Sequence, residues 1–157
     1  LAAARRVSDG DLDESELRAA AVSVSAPHWL PVNIAEFELA SPLERCFTQG
    51  RDVGMLSEAL AAASRPSEIA AAASSWEPAV IACAAAVGSS DEIALWLGEL
   101  RHVRLPFDGG ALLAAGVPQG PGVGIGLAAA RDALLDDGNA SPEQLLSVAL
   151  AAAGVPG

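Results

Sequence analysis

The sequence predicts an all-α fold, a bundle of short helices with no sheet, and three observations carry that prediction. Apolar residues make up 52% of the 157 positions, yet aromatics are only 4%. The apolar mass is largely Ala and Leu, the strongest helix formers. Helix start signals recur along the chain, each followed by apolar residues at helical spacing. Nothing alternates with period two for long enough to make a strand.

Taken in order, Leu17 to Val24 reads as a helix, and the loose stretch from His28 to Glu38, with Pro27 and Pro31, reads as a connector without an assigned role. Ser41-Pro42-Leu43-Glu44 offers a capping Ser, Pro at the first helical position and Glu three residues after the cap. Val53, Leu56 and Leu60 form a short stripe ending near Ser64, and Pro66 starts the next helix. Glu77-Pro78 begins another, running through small apolar residues to Gly88. Ser89-Ser90-Asp91-Glu92 is a further start, with acids where the helix dipole favours them. Ile93, Trp96, Leu97, Leu100 and Val103 then give an amphipathic stripe, broken at Leu105-Pro106. Asp108 caps a short helix through Leu112 and Leu113 that Gly116 stops, and Pro121 opens a longer one ending near Gly138. Ser141-Pro142-Glu143-Gln144 repeats the capping device before the last helix. No internal repeat of fixed period is present. The organisation that follows is residues 1–38 as an N-terminal helix and unassigned connector, 39–104 as one helical region, and 105–157 as a second.

Charge and composition narrow the function classes. The nine positive charges are all Arg against twenty acids, a net charge of −11 and a pI near 4.4. That balance argues against a general nucleic-acid binder and against a DNA partner, because affinity for phosphate comes from Lys and Arg. A mean hydropathy of +0.36 is not that of a disordered coil. The most apolar run, Ala79 to Val87, is about half the roughly 20 residues a membrane span needs, so no membrane partner is expected. Cys46 and Cys83 are too few for a disulfide framework and read as free buried thiols of a cytoplasmic protein. The chain starts with Leu rather than Met, and Leu1 to Ala4 is too short for a signal peptide, which suggests a fragment or processed chain.

Several motifs fail on spacing. Asp9, Asp11 and Asp13 alternate as in a calcium loop, but an EF-hand counted from Asp9 would place Glu14 where Gly is required and Ala20 where Glu is required. The run from Gly120 to Gly126 lacks the last glycine of a dinucleotide loop and no strand precedes it. His28 and His102 have no partners at ligand spacing, so no metal site is expected. Neither a nucleophile–base pair nor a Walker loop appears, and no catalytic residue is assigned.

One stretch carries chemistry. From Trp96 to Gly138 the sequence sets Arg101 and Arg104 before a short helix, a Gly-Pro turn and a helix whose first turn has no bulky side chain. Such a turn presents backbone N–H groups at the positive end of a helix, a site for a phosphate. Arg101 and Arg104 are one helical turn apart, a spacing that puts both on one face to flank it. The alternative is that the glycines let two helices pack closely while the arginines lie along the surface.

Leu105-Pro106, Gly109, Leu112, Gly116-Val117-Pro118, Gly120-Pro121, Gly124, Leu127, Leu135-Asp136 and Gly138 follow a recognisable order. This pattern resembles the C-terminal region of bacterial class II tRNA nucleotidyltransferases and poly(A) polymerases, the CCA-adding enzymes. The likeness runs from about Arg65 to Ala152. It implies a body and tail that grip the tRNA elbow while a head domain adds CMP and AMP residues with Mg²⁺. No DxD metal pair on a strand occurs here, since Asp9, Asp11 and Asp13 sit before a helix, and the EDxxR and RRD strings of the neck are missing, so the chain itself takes no cofactor on this reading. RNA contact would then run through Arg101, Arg104, Gly120, Gly122, Gly124 and Arg131, with tRNA and the missing head and neck region, or a partner protein, as partners. The corresponding family helix is commonly basic, whereas Arg131 here stands among Asp132, Asp136 and Asp137. Two other readings stay open: a degenerate relative serving as a protein-interaction or regulatory scaffold, and a truncated chain whose helices pack on missing parts.

Overall fold

The computed structural model describes residues 1–8, 12–25 and 41–154. Among these residues all regular structure is helical, with ten α-helices and no strand. The connector from His28 to Glu38, the acidic positions Asp9 and Asp11, and the side chains of the Ser41-Pro42-Leu43 start lie outside the described residues. The chain divides into two compact units, residues 1–64 with 68–101, and residues 65–67 with 102–157.

The first unit holds α1 (Ala2–Ser8), α2 (Glu14–Ser25), α3 (Ser41–Gly50), α4 (Val53–Ala62), most of α5 (Pro66–Ala73), α6 (Pro78–Ala84) and α7 (Ser90–Gly98). Its centre is α6, on which every residue from Ala79 to Ala84 is buried and which touches α1, α2, α3, α4 and α7. A helix that is apolar all round has no solvent face to offer, and enclosure is the consequence. It is shorter than its apolar run suggests, since Ala85 to Val87 turn through short i−3 bonds rather than continuing to Gly88.

Local chemistry fixes the neighbours of α6. Asp13 caps α2, its Oδ1 accepting from the amides of Ser15 at 2.8 Å and Glu16 at 3.2 Å. The Ser15 hydroxyl, with these two amides, holds the Asp13 carboxyl below its ordinary pKa. Gln49 ties α3 to the start of α6, its Nε2 donating to the Ser75 carbonyl at 2.9 Å and its Oε1 accepting from the Glu77 amide at 2.6 Å. Where α2 crosses α3, the fully buried Ser23 donates its hydroxyl to the Phe47 carbonyl at 2.7 Å. A Cβ at Gly50 would lie 2.5 Å from the Ser23 Cβ, so only glycine permits that crossing.

Both cysteines are free and buried in this unit. Burial is the first cause that pushes the Cys46 thiol up to about 12, with the carboxylates of Glu16 and Glu77 adding to it. The folded chain therefore keeps a proton that the unfolded chain releases from its ordinary value of 9.0. Stability is complete below that pH and falls as the pH rises from 9.0 toward about 12. Thermal melts across this range are expected to decline, and Cys46→Ala to decline less steeply.

The second unit holds α8 (Gly109–Ala114), α9 (Pro121–Asp136) and α10 (Pro142–Ala152), around a core of Leu112, Val117, Ala130, Leu145 and Ala149. Asp108 Oδ1 accepts the Gly110 amide at 2.9 Å and caps α8. A full capping box starts α10, with Ser141 Oγ and Gln144 Oε1 each accepting the other residue's amide, at 3.3 and 2.7 Å. At the end of α9, Asp136 accepts the Ser67 amide at 2.8 Å and the Ser67 hydroxyl at 2.8 Å, with Arg65 Nη1 at 3.3 Å. One of the two acids of this tail helix thus serves as the cap of α5. Asp136→Ala is expected to cost about 1 kcal/mol, measured as a lowered urea midpoint, while Asp132→Ala, which no such bond engages, is expected to cost little.

Candidate nucleic-acid interface

The residues assigned to phosphate binding stand on three kinds of backbone. Arg101 is on a single 3-10 turn, Leu100–His102, and its Nε donates to the Leu97 carbonyl at 2.9 Å. Helix α7 has already ended at Gly98, and Arg104 follows in an irregular stretch with its Nη1 3.2 Å from the Val103 carbonyl. The two arginines therefore do not share one face of a helix. The apolar stripe persists past the helix end because Leu100 stays buried in the 3-10 turn, and periodicity alone does not register the change.

The turn from α8 to α9 is a Schellman motif. The Val117 amide reaches the Leu112 carbonyl at 3.0 Å and the Gly116 amide the Leu113 carbonyl at 3.1 Å. Gly116 has φ +97°, a conformation that favours glycine, and the motif's apolar contact joins buried Leu112 and Val117. Gly120 then forms the N-cap of α9 with no side-chain bond. Pro121 at the first helical position has no N–H, and the Val123 amide turns back to the Gly120 carbonyl at 3.2 Å. Of the first amides, those of Gly120 and Gly122 remain available for a ligand at the helix end.

The three glycines of the helix differ in what surrounds them. A Cβ at Gly122 would lie 3.5 Å from the Ala153 carbonyl oxygen, and one at Gly126 would lie 2.7 Å from the Ala149 carbonyl oxygen and 2.7 Å from Leu112 Cδ2. Gly124 has no neighbour within 4 Å. Gly126 thus serves close approach to α10, Gly122 has room for an ordinary contact with Ala153, and Gly124 alone of the three faces open space. Arg131 lies seven residues beyond Gly124, two turns along the same face, with exposed Ala128 between them. The sequence reading did not single out Gly126. Its signal was the four-residue repeat of small residues Gly122, Gly126 and Ala130.

Acidity is unequally shared. Arg65, Arg104 and Arg131 face five acids in the second unit, which leaves six arginines and fifteen acids in the first. Among the described residues no three of His, Cys, Asp and Glu group as metal ligands would, and no helix is long and apolar enough to cross a membrane. No family model, no curated protein and no solved structure matches the chain.

Proposed function

We propose that the chain is a non-catalytic helical module of the body-and-tail kind, which contacts the tRNA elbow while a separate head domain adds CCA. The observation that carries this reading is the Gly124 to Arg131 face of α9. It is a helix surface of glycine and alanine, closed by an arginine, that a phosphodiester backbone approaches without steric conflict. The amides of Gly120 and Gly122 begin the same helix, and Arg104 supplies a further cation to the same unit. Arg101, the last residue of the first unit, is the remaining candidate. The excess of acid lies in the first unit, so the tail is not itself strongly repelling.

With about three arginines engaged, binding of tRNA followed by fluorescence anisotropy is expected to fall with salt at a log–log slope of roughly −2 to −3. Arg104→Glu with Arg131→Glu is expected to remove most of the binding, and Arg6→Glu on α1 to leave it unchanged. No detectable binding at 20 mM salt and high micromolar protein would overturn the reading. The scaffold alternative would then lead, supported by the use of Gly126 in helix packing.

A further inference from the structure

Helices α9 and α10 run antiparallel at close range, with Gly122 against Ala153 and Gly126 against Ala149. The next pair in that register is Ala130 with Leu145, both buried. Each step along a helix turns about 100°. In an antiparallel pair, the residues that follow these contact positions point to one side and those that precede them to the other. Leu127 and Leu150 follow, and both pack on the core that α8 closes. Pro121, Ile125 and Ala129 precede on α9, as Gln144, Val148 and Ala152 do on α10.

This second side is open. Ile125 is 57% and Val148 39% exposed in the whole chain, Pro121, Gln144 and Ala152 are exposed, and Ala129 is half-buried. None of the six is charged, in a chain with twenty acids and nine arginines. Asp132, exposed and seven residues beyond Ile125, closes one end of the face.

We propose that this face is the docking site for a single amphipathic helix of a partner protein, apolar along its inner side and cationic where it meets Asp132. Size and charge select that occupant. The face is roughly 12 Å long, from eight steps of helical rise, and two helices wide. That accommodates one helix and falls well short of the roughly 800 Å² per partner that a stable protein interface buries. The unit that carries the face has five acids against three arginines, with Asp132 at the end of the face, so a cationic helix is attracted there and an identical face is not. Helix-in-groove recognition uses anchors at this i, i+4 spacing. The inference is independent of the RNA reading, since none of the six residues is among the RNA candidates.

The test uses the full chain and a labelled 18-residue synthetic helix with leucines on one face and arginines on its flanks. The same helix with glutamates in place of arginines is the control. Anisotropy is expected to show binding of the arginine helix, weakened at least tenfold by Ile125→Ser with Val148→Ser, substitutions that change no charge. Met55→Ser, at a residue 69% exposed on α4, is expected to have no effect. Asp132→Asn is expected to weaken binding several-fold at low salt and hardly at high salt. If the double variant does not fold, Ile125→Ser alone carries the test, with an expected loss of severalfold. The proposal is overturned by equal binding to the double variant, by equal binding of the glutamate helix, or by no binding of either. Sedimentation showing a dimer that the double variant dissociates would also overturn it and assign the face to a second copy. Unchanged tRNA binding by the double variant separates this site from the RNA reading.

Discussion

Replacing Gly126 with alanine is expected to destabilise the chain by about 3 kcal/mol, the upper end of the usual cost of overpacking, while Gly124→Ala on the same helix stabilises it slightly. The chemistry added is one methyl group in both cases. At Gly126 that methyl meets the Ala149 carbonyl oxygen at 2.7 Å and Leu112 Cδ2 at 2.7 Å. The leucine end can rotate aside, but a helix carbonyl moves only if α10 moves. Such a shift would disturb the core contacts of Leu145 and Ala149 as well. At Gly124 nothing lies within 4 Å, and alanine in an exposed helix interior is favoured over glycine by roughly 0.5–1 kcal/mol. Urea midpoints of the two variants should move in opposite directions. A neutral Gly126→Ala would mean that the helices stand further apart, and would return the whole glycine run to ligand access. A Gly124→Ala variant that is stable yet loses tRNA affinity would instead place the phosphate backbone against that face.

The parts of this fold that were legible in the sequence are those set within a few residues. Ser141 with Gln144, Asp108 with Gly110, and Gly116 after Ala115 each satisfy helix-end groups using atoms at most five positions away. The residue types alone therefore announce them. Helix α1 was not legible. Ala2 to Ser8 has no apolar stripe and its helix is stabilised by docking, with Ala4 fully buried where α1 meets α6 and α7. The role of Gly126 was hidden for the same reason, because the carbonyl that excludes a side chain belongs to a residue 23 positions later. In the candidate site, composition marked helix α9 but not which of its glycines packs against α10. Cβ space distinguishes Gly124 from its neighbours, and spacing does not. The paired-arginine geometry failed because Gly98 ends α7 early, a choice that the stripe of buried residues on either side of it conceals.

Trp96→Ala should show the other large loss, about 3–5 kcal/mol, the range for removing a buried aromatic side chain from a site that cannot collapse. Trp96 is 8% exposed on α7, in line with Ile93, Leu97 and Leu100, which are all buried. The helix packs against α1, α4 and α6. The inability to collapse follows from composition. Four of the six buried residues that α6 contributes, Ala79, Ala82, Cys83 and Ala84, have side chains too short to reach into the space an indole leaves. A void there closes only if whole helices shift, and α6 is held on its other sides by α2 and α3. Small domains are typically stable by roughly 5–15 kcal/mol, so this one truncation would remove more than half of the total at the lower end. Denaturant unfolding of Trp96→Ala against Met55→Ala, at a residue 69% exposed, measures the difference directly. A loss below about 1 kcal/mol would put the ring at a surface rather than in the core, because a change of that size is what exposed positions give.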